Sequence, residues 1–164
     1  MFNIENSDSK NIYKIKHIMI FISHRGNLSG PNPELENRVN YINEALQKFD
    51  VEIDLWFKQD KFYLGHDKPQ YNVDINFLKN KKLWIHAKNL DCFYELSKFS
   101  LNFFWHEKDK IVLTSKGFLW NYPGTKLSKK SICVLPEINK EKKFDCYGIC
   151  SDYILDYYDR YNNI

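Results

Sequence analysis

Ile18-Met19-Ile20-Phe21-Ile22-Ser23-His24-Arg25-Gly26 is the stretch on which the fold turns. Five apolar residues without alternation describe a strand covered on both faces, as in a parallel sheet, and the run ends abruptly in polar residues. Working outward, Asn32-Pro33 supplies an N-cap followed by proline at a first helical position. Leu35, Val39, Ile42, Leu46 and Phe49 then step by four, three, four and three, which predicts one apolar helix face. Val51-Glu52-Ile53-Asp54-Leu55-Trp56 alternates, so Glu52, Asp54 and Trp56 share one side of a second strand. Lys58-Gln59-Asp60-Lys61 predicts a hairpin turn returning through Phe62-Tyr63-Leu64 to Gly65-His66-Asp67. A third strand, Leu83 to Lys88, precedes helical spacing over Leu90 to Phe99. Strand-helix-strand-helix is the βα pattern. The expectation is an α/β fold, a compact, abbreviated TIM-type β/α barrel. Few helices are expected in its second half, where the apolar runs at 102–105, 111–113, 118–120, 132–135 and 147–149 are too closely spaced for crossovers of about a dozen residues.

At 164 residues the chain suits one domain, 1–164, with residues 1–16 a loose polar arm. The 43% hydrophobic and 27% charged residues describe a folding, soluble composition, and the 16% aromatic content predicts a core built largely on rings. The net charge of +3 comes without a basic stripe, since Lys81-Lys82, Lys129-Lys130 and Lys142-Lys143 are short doublets beside strands. That argues against a nucleic-acid partner. Cys92, Cys133, Cys146 and Cys150 lack metal-ligand spacing and are expected as buried thiols. Glu5 and Asp8 stand where a signal peptide would be basic, and 18–22 is too short for a membrane span, so a cytoplasmic location is expected. Oligomeric state is not legible.

The polar clusters fall at strand ends, where barrel enzymes carry their sites: His24 and Arg25, then Glu52 and Asp54, then His66, then His86 and Lys88. His24-Arg25-Gly26, Glu52-Ile53-Asp54 and His66-Asp67, in that order, resemble the glycerophosphodiester phosphodiesterases, which share their barrel with phosphatidylinositol-specific phospholipases C. Pro33-Glu34 stands where that family has Pro-Glu-Asn, with Glu36-Asn37 an alternative frame, so Glu34, Glu36 and Asn37 stay unassigned. Gly148 to Tyr153 looks like the family's last strand. His86-Ala87-Lys88 departs from the pattern, placing histidine where the family has an acid two residues before a lysine.

The resemblance implies hydrolysis of a small-molecule phosphodiester with one divalent metal ion, magnesium or calcium. His86 in place of an acid also admits manganese or zinc. Glu52, Asp54 and His86 are the expected metal ligands, Arg25 and Lys88 the phosphate contacts, and His24 and His66 the acid and base, in an order the sequence does not assign. For several relatives the first product is a cyclic phosphate. The charge logic holds without the family name, because phosphodiester cleavage builds negative charge that cations must meet. Each motif alone has a bland reading: a solvated Glu-x-Asp, a strand-end His-Arg-Gly, an aspartate in a turn. Their ordered combination favours chemistry. The alternative is a catalytically silent module holding a phosphate or sugar phosphate on the same fold. His17 is expected to be structural or solvent-exposed, while His106-Glu107 and Glu137 are eligible but unassigned.

Overall fold

The computed structural model describes residues 19–141 and 143–163. The expected arm at 1–16, His17, Ile18 and Lys142 lie outside the described residues. The order of elements is β1 (Ile20–His24), α1 (Val39–Leu46), β2 (Asp50–Lys58), β3 (Lys61–Leu64), β4 (Tyr71–Val73), α2 (Ile75–Leu78), β5 (Leu83–Ala87), α3 (Leu90–Leu96), β6 (Phe103–Phe104), β7 (Ile111–Leu113), β8 (Leu119–Asn121), β9 (Ser131–Val134), β10 (Gly148–Ser151) and α4 (Ile154–Asn162).

The strands form one mixed sheet. A parallel path runs β6-β5-β2-β1-β10-β9-β8, while β3, β4 and β7 join antiparallel. β1 ends at His24, level with Glu52, and β3 then takes the same edge of β2 from Leu55 onward. The hairpin falls where expected, with Gln59 and Asp60 both at positive φ, 51° and 57°. That geometry matches the twist of the two strands it joins.

The sheet curls. β5 and β8 are far apart along the parallel path, yet the rings of Trp84 and Trp120 lie 5.8 Å apart and those of Phe104 and Trp120 4.7 Å apart. Ser115 N–H donates to the Phe103 carbonyl across the remaining gap. No ladder joins β6 to β7 or β8 among the described residues.

The expected TIM-type barrel is therefore not what forms. Such a barrel sets a helix after every strand, whereas the described residues hold four helices, one of them a single turn, beside ten strands. The physical reason lies in the links: 122–130 is too short for a helical crossover. In 135–147 the described residues form turns and irregular chain, with Leu135 and Lys140 at positive φ. The first helix also begins later than the apolar spacing implied, because Asn37 sits at φ 61°. Residues 33–37 turn instead, Leu35 and Glu36 N–H both donating to the Asn32 carbonyl.

Strand alternation divides the core into an outer and an inner face. Outside, Ile42, Leu46, Val51, Ile53, Ile85, Cys92 and Leu96 pack under α1 and α3, and Phe21, Phe49 and Ile149 pack with Ile154 of α4. Inside, Ile22, Trp84, Phe104, Trp120, Ile132 and Cys150 form an apolar plug between the two mouths of the curl. Rings do much of this packing, and all four cysteines are buried free thiols, as expected.

Candidate functional site

Above the plug, the inner-facing residues at the C-terminal strand ends are His24, Glu52, Asp54 and His86, and all four are buried. Asp54 is the hub. Its Oδ2 meets Arg25 Nε at 2.9 Å and Asn37 Nδ2 at 3.1 Å, and its Oδ1 meets His86 Nδ1 at 3.1 Å and Lys88 Nζ at 3.3 Å. The backbone explains Asn37. Between the end of β1 and the start of β3 the Asp54 N–H has no strand partner, and Asn37 Oδ1 accepts it at 2.9 Å while the Gly65 N–H donates to the Asp54 carbonyl. A buried amide must be satisfied, and an asparagine at positive φ does it from a turn.

His24 Nδ1 lies 2.7 Å from Asp152 Oδ1 and its Nε2 3.8 Å from Glu52 Oε2. With Nδ1–H donated to Asp152, Nε2 is the nitrogen left for chemistry. Asn27, fully buried, donates to both Asp152 at 2.8 Å and Glu36 at 2.9 Å, and Glu36 also accepts from Arg25 at 3.2 Å. Glu137 anchors the following turn by accepting from Ser151 Oγ and the Asp152 N–H. From β5 the His86 ring stacks against both Phe104 at 5.0 Å and His106 at 4.8 Å, which lie side by side, and His106 Nε2 meets the Tyr122 hydroxyl at 2.6 Å.

The titration of these groups follows from burial and neighbours. Burial first, then the charge of Asp54, pushes the Glu52 pKa up to about 7. Burial opposes ionisation of Asp54 too, but the His86 hydrogen bond and the charges of Arg25 and Lys88 prevail and hold it far below the usual carboxylate range. Burial works against the charged form of His24, yet Asp152 and Glu52 outweigh it and raise its pKa. Burial lowers His86 and brings His106 down to about 4.

Glu52, Asp54 and His86 each offer one ligand atom within 4.8 Å of the others, so the buried trio could hold a metal ion. Two features fit a divalent cation. Glu52 Oε2 is buried without a hydrogen-bond partner among the described residues, and a buried unpaired carboxylate oxygen is costly unless a cation meets it. The carboxylates of Glu36, Glu52, Asp54 and Asp152 also outnumber the fixed cations Arg25 and Lys88.

No family model, curated protein or solved structure matches this chain.

His24, Arg25, Glu52, Asp54, His86 and Lys88, the expected site residues apart from His66, come together in one buried network. His66 pairs with Asp67 Oδ1 at 2.7 Å on the exposed rim, and it shares with His24 and Arg25 the lining of a cleft of about 500 Å³. Glu36 and Asn37, left unassigned by the sequence, enter the network, while Glu34 is exposed. Asn27 and Asp152 were missed. Asp152 carries the same signal as His24, a polar residue just past an apolar strand, and was legible on that ground; Asn27 carries no signal beyond following Gly26. None of the described helices is long and apolar enough to cross a membrane.

Proposed function

We propose that the chain is a metal-dependent phosphodiesterase acting on a small diester of glycerophosphodiester type. The observation that carries the reading is a buried carboxylate, Glu52, short of a partner beside Asp54 and His86, below a cleft rimmed by His24 and Arg25. Glu52, Asp54 and His86 would hold the ion, which when bound supplies Lewis-acid polarisation of a phosphoryl oxygen.

The chain's own residues do the rest. Glu36 and Asp54 hold the Arg25 guanidinium from two sides, fixing its plane at the cleft for a nonbridging oxygen. Asp152 holds the His24 ring through Nδ1 so that Nε2 can take or give a proton, and Asp67 holds His66 in the same way. One histidine accepts the proton of the attacking hydroxyl and the other protonates the departing alcohol. If the attacker belongs to the substrate, a cyclic phosphate forms first.

The test is a panel of phosphodiesters, including glycerophosphocholine and lysophospholipids, incubated with magnesium, calcium, manganese or zinc and followed by phosphorus NMR. Conversion of one class, stopped by a chelator, is the expected result. Saturable binding of phosphate compounds with no turnover under any metal would replace this reading with that of a silent binding module.

A further inference from the structure

Asn27 is fully buried and lines no part of the cleft, yet it touches the supports of two groups that do, His24 and Arg25. Gly26, at φ 94°, turns the chain inward beside Tyr41, whose ring stands 2.7 Å from where a Cβ would be, and brings Asn27 behind the site. There every polar group of the residue is used. Its N–H donates to the His24 carbonyl at 2.9 Å, and its carbonyl accepts from Ser23 Oγ at 2.8 Å. Its side-chain Oδ1 accepts from the Asn32 N–H at 3.1 Å and the Tyr41 hydroxyl at 3.3 Å. A backbone N–H can only donate, so the amide cannot be flipped and Nδ2 is the atom that faces the carboxylates. Its two hydrogens go to Glu36 Oε1 at 2.9 Å and Asp152 Oδ1 at 2.8 Å.

Those carboxylates serve different arms of the site. Asp152 Oδ1 also accepts from His24 Nδ1 at 2.7 Å, while Glu36 holds Arg25 through Oε2 at 3.2 Å. Among the described residues Asn27 is the one side chain hydrogen-bonded to both. The two side chains are only 12% and 16% exposed, so water reaches little of either. Without the amide, one oxygen of each loses a donor that a buried acceptor needs, and two negative charges face the same space. Both carboxylates would turn toward other donors and carry His24 and Arg25 with them.

We propose that Asn27 is a positioning residue for both arms at once: its amide locks the imidazole that moves the proton to the guanidinium that holds the phosphate. The roles of His24 and Arg25 rest on the phosphodiesterase reading; the lock between them does not. Such a lock matters because a misplacement of about 1 Å from a change away from the chemistry can cost about 10²-fold in rate.

The experiment uses the full chain. Kinetics with manganese, on glycerophosphocholine and the other diesters of the panel, give kcat and KM. Long-range proton–nitrogen NMR of the imidazoles, without metal and at alkaline pH where His24 is neutral, gives its tautomer without turnover. In the parent His24 should carry its proton on Nδ1. Asp152→Asn should act on kcat and Glu36→Gln chiefly on KM, whereas Asn27→Ala should lower kcat and raise KM together, by about 10²-fold in kcat/KM, and mix the His24 tautomers. The crossed readout is the sharper one. Glu36 touches Arg25 and not His24, yet Glu36→Gln should shift the His24 ring nitrogens, and in the Asn27→Ala background the same change should shift them no further. Should Asn27→Ala fail to fold, the crossed shift in Glu36→Gln decides alone. His24 signals indifferent to Glu36→Gln, or a folded Asn27→Ala with kcat and KM both at parent values, would overturn the lock. If no diester is cleaved, the phosphodiesterase reading falls, and the imidazole spectra still decide the role of Asn27.

Discussion

The two mouths of the inner face are built from the same strands, yet they treat charge in opposite ways. At the upper mouth Asp54 is fully buried and answered by Arg25, Lys88, Asn37 and His86. At the lower mouth, at the N-terminal strand ends, Lys79, Lys81 and Lys116 stay in solvent and the walls are rings. Charge is tolerated inside the curl where opposite partners arrive from neighbouring strand ends, and Glu52 is the exception because its Oε2 receives no hydrogen bond, His24 Nε2 standing off at 3.8 Å. Breaking the pairing at the upper mouth should therefore hurt in one place and help in another.

Asp54→Asn carries the largest expected loss of stability. It strands the Arg25 and Lys88 cations beside a neutral amide, and breaking a buried charge pair costs about 3–5 kcal/mol. At 0% and 2% exposure Asp54 and Glu52 are interior, so this variant does not leave the fold untouched. Glu52→Gln should do the reverse, because it removes a like charge beside Asp54 that burial already disfavours. Urea melts without added metal should show the first variant weakened and the second equal to or above the parent. The stabilisation that manganese or magnesium gives the parent should vanish in both. Metal stabilisation surviving in Glu52→Gln would remove Glu52 from the ion site.

The two histidines sharpen the same contrast at the level of chemistry. His24 is buried and His66 half exposed, yet each pairs through Nδ1 with an aspartate at 2.7 Å. General acid–base catalysis contributes about 10²–10⁴-fold per group, so His24→Ala and His66→Ala should each lower turnover by that order and change substrate affinity far less. The double variant should be little worse than the poorer single one. A nitrophenolate leaving group needs no proton and should rescue only the variant lacking the acid. Near-normal turnover in both single variants would end the two-histidine mechanism.

At the lower mouth a smaller packing effect tests how tightly the curl is drawn. Gly148 faces inward where an added Cβ would lie 2.8 Å from the Ile20 carbonyl oxygen and against the Ile20 side chain. Backbone cannot step aside cheaply, so Gly148→Ala should cost about 1–3 kcal/mol as overpacking. It should leave metal stabilisation at the upper mouth in place. A variant as stable as the parent would mean the β1–β10 pair has slack.

Much of this was legible in the sequence. The alternation of Glu52, Ile53 and Asp54 fixed a shared face, the Gln59-Asp60 turn was placed by its neighbours, and each later apolar run became a strand close to its expected bounds. What failed was the inference from parallel strands to a helix-backed barrel, because links such as 122–130 are too short to hold crossover helices, and what stayed hidden was the role of Asn37. An asparagine that satisfies the Asp54 N–H from 17 residues away leaves no local pattern. Asn27 is hidden for the same reason: its partners Glu36 and Asp152 are 9 and 125 residues distant, and no periodicity encodes them.

His86→Glu separates ligand from bystander. The imidazole is the softer member of the trio, and a third carboxylate should move ion preference toward magnesium and calcium by favouring harder cations. Without metal the variant should be weaker than the parent, since it loses the stacking on Phe104 and His106 and adds a like charge beside Glu52 and Asp54. With calcium it should recover more stability than the parent does, because the added repulsion is what the ion relieves. His86→Gln, with the same loss of stacking and no added charge, is the control. If His86→Glu and His86→Gln respond to calcium and manganese alike, the third ligand lies elsewhere and His86 only positions Asp54.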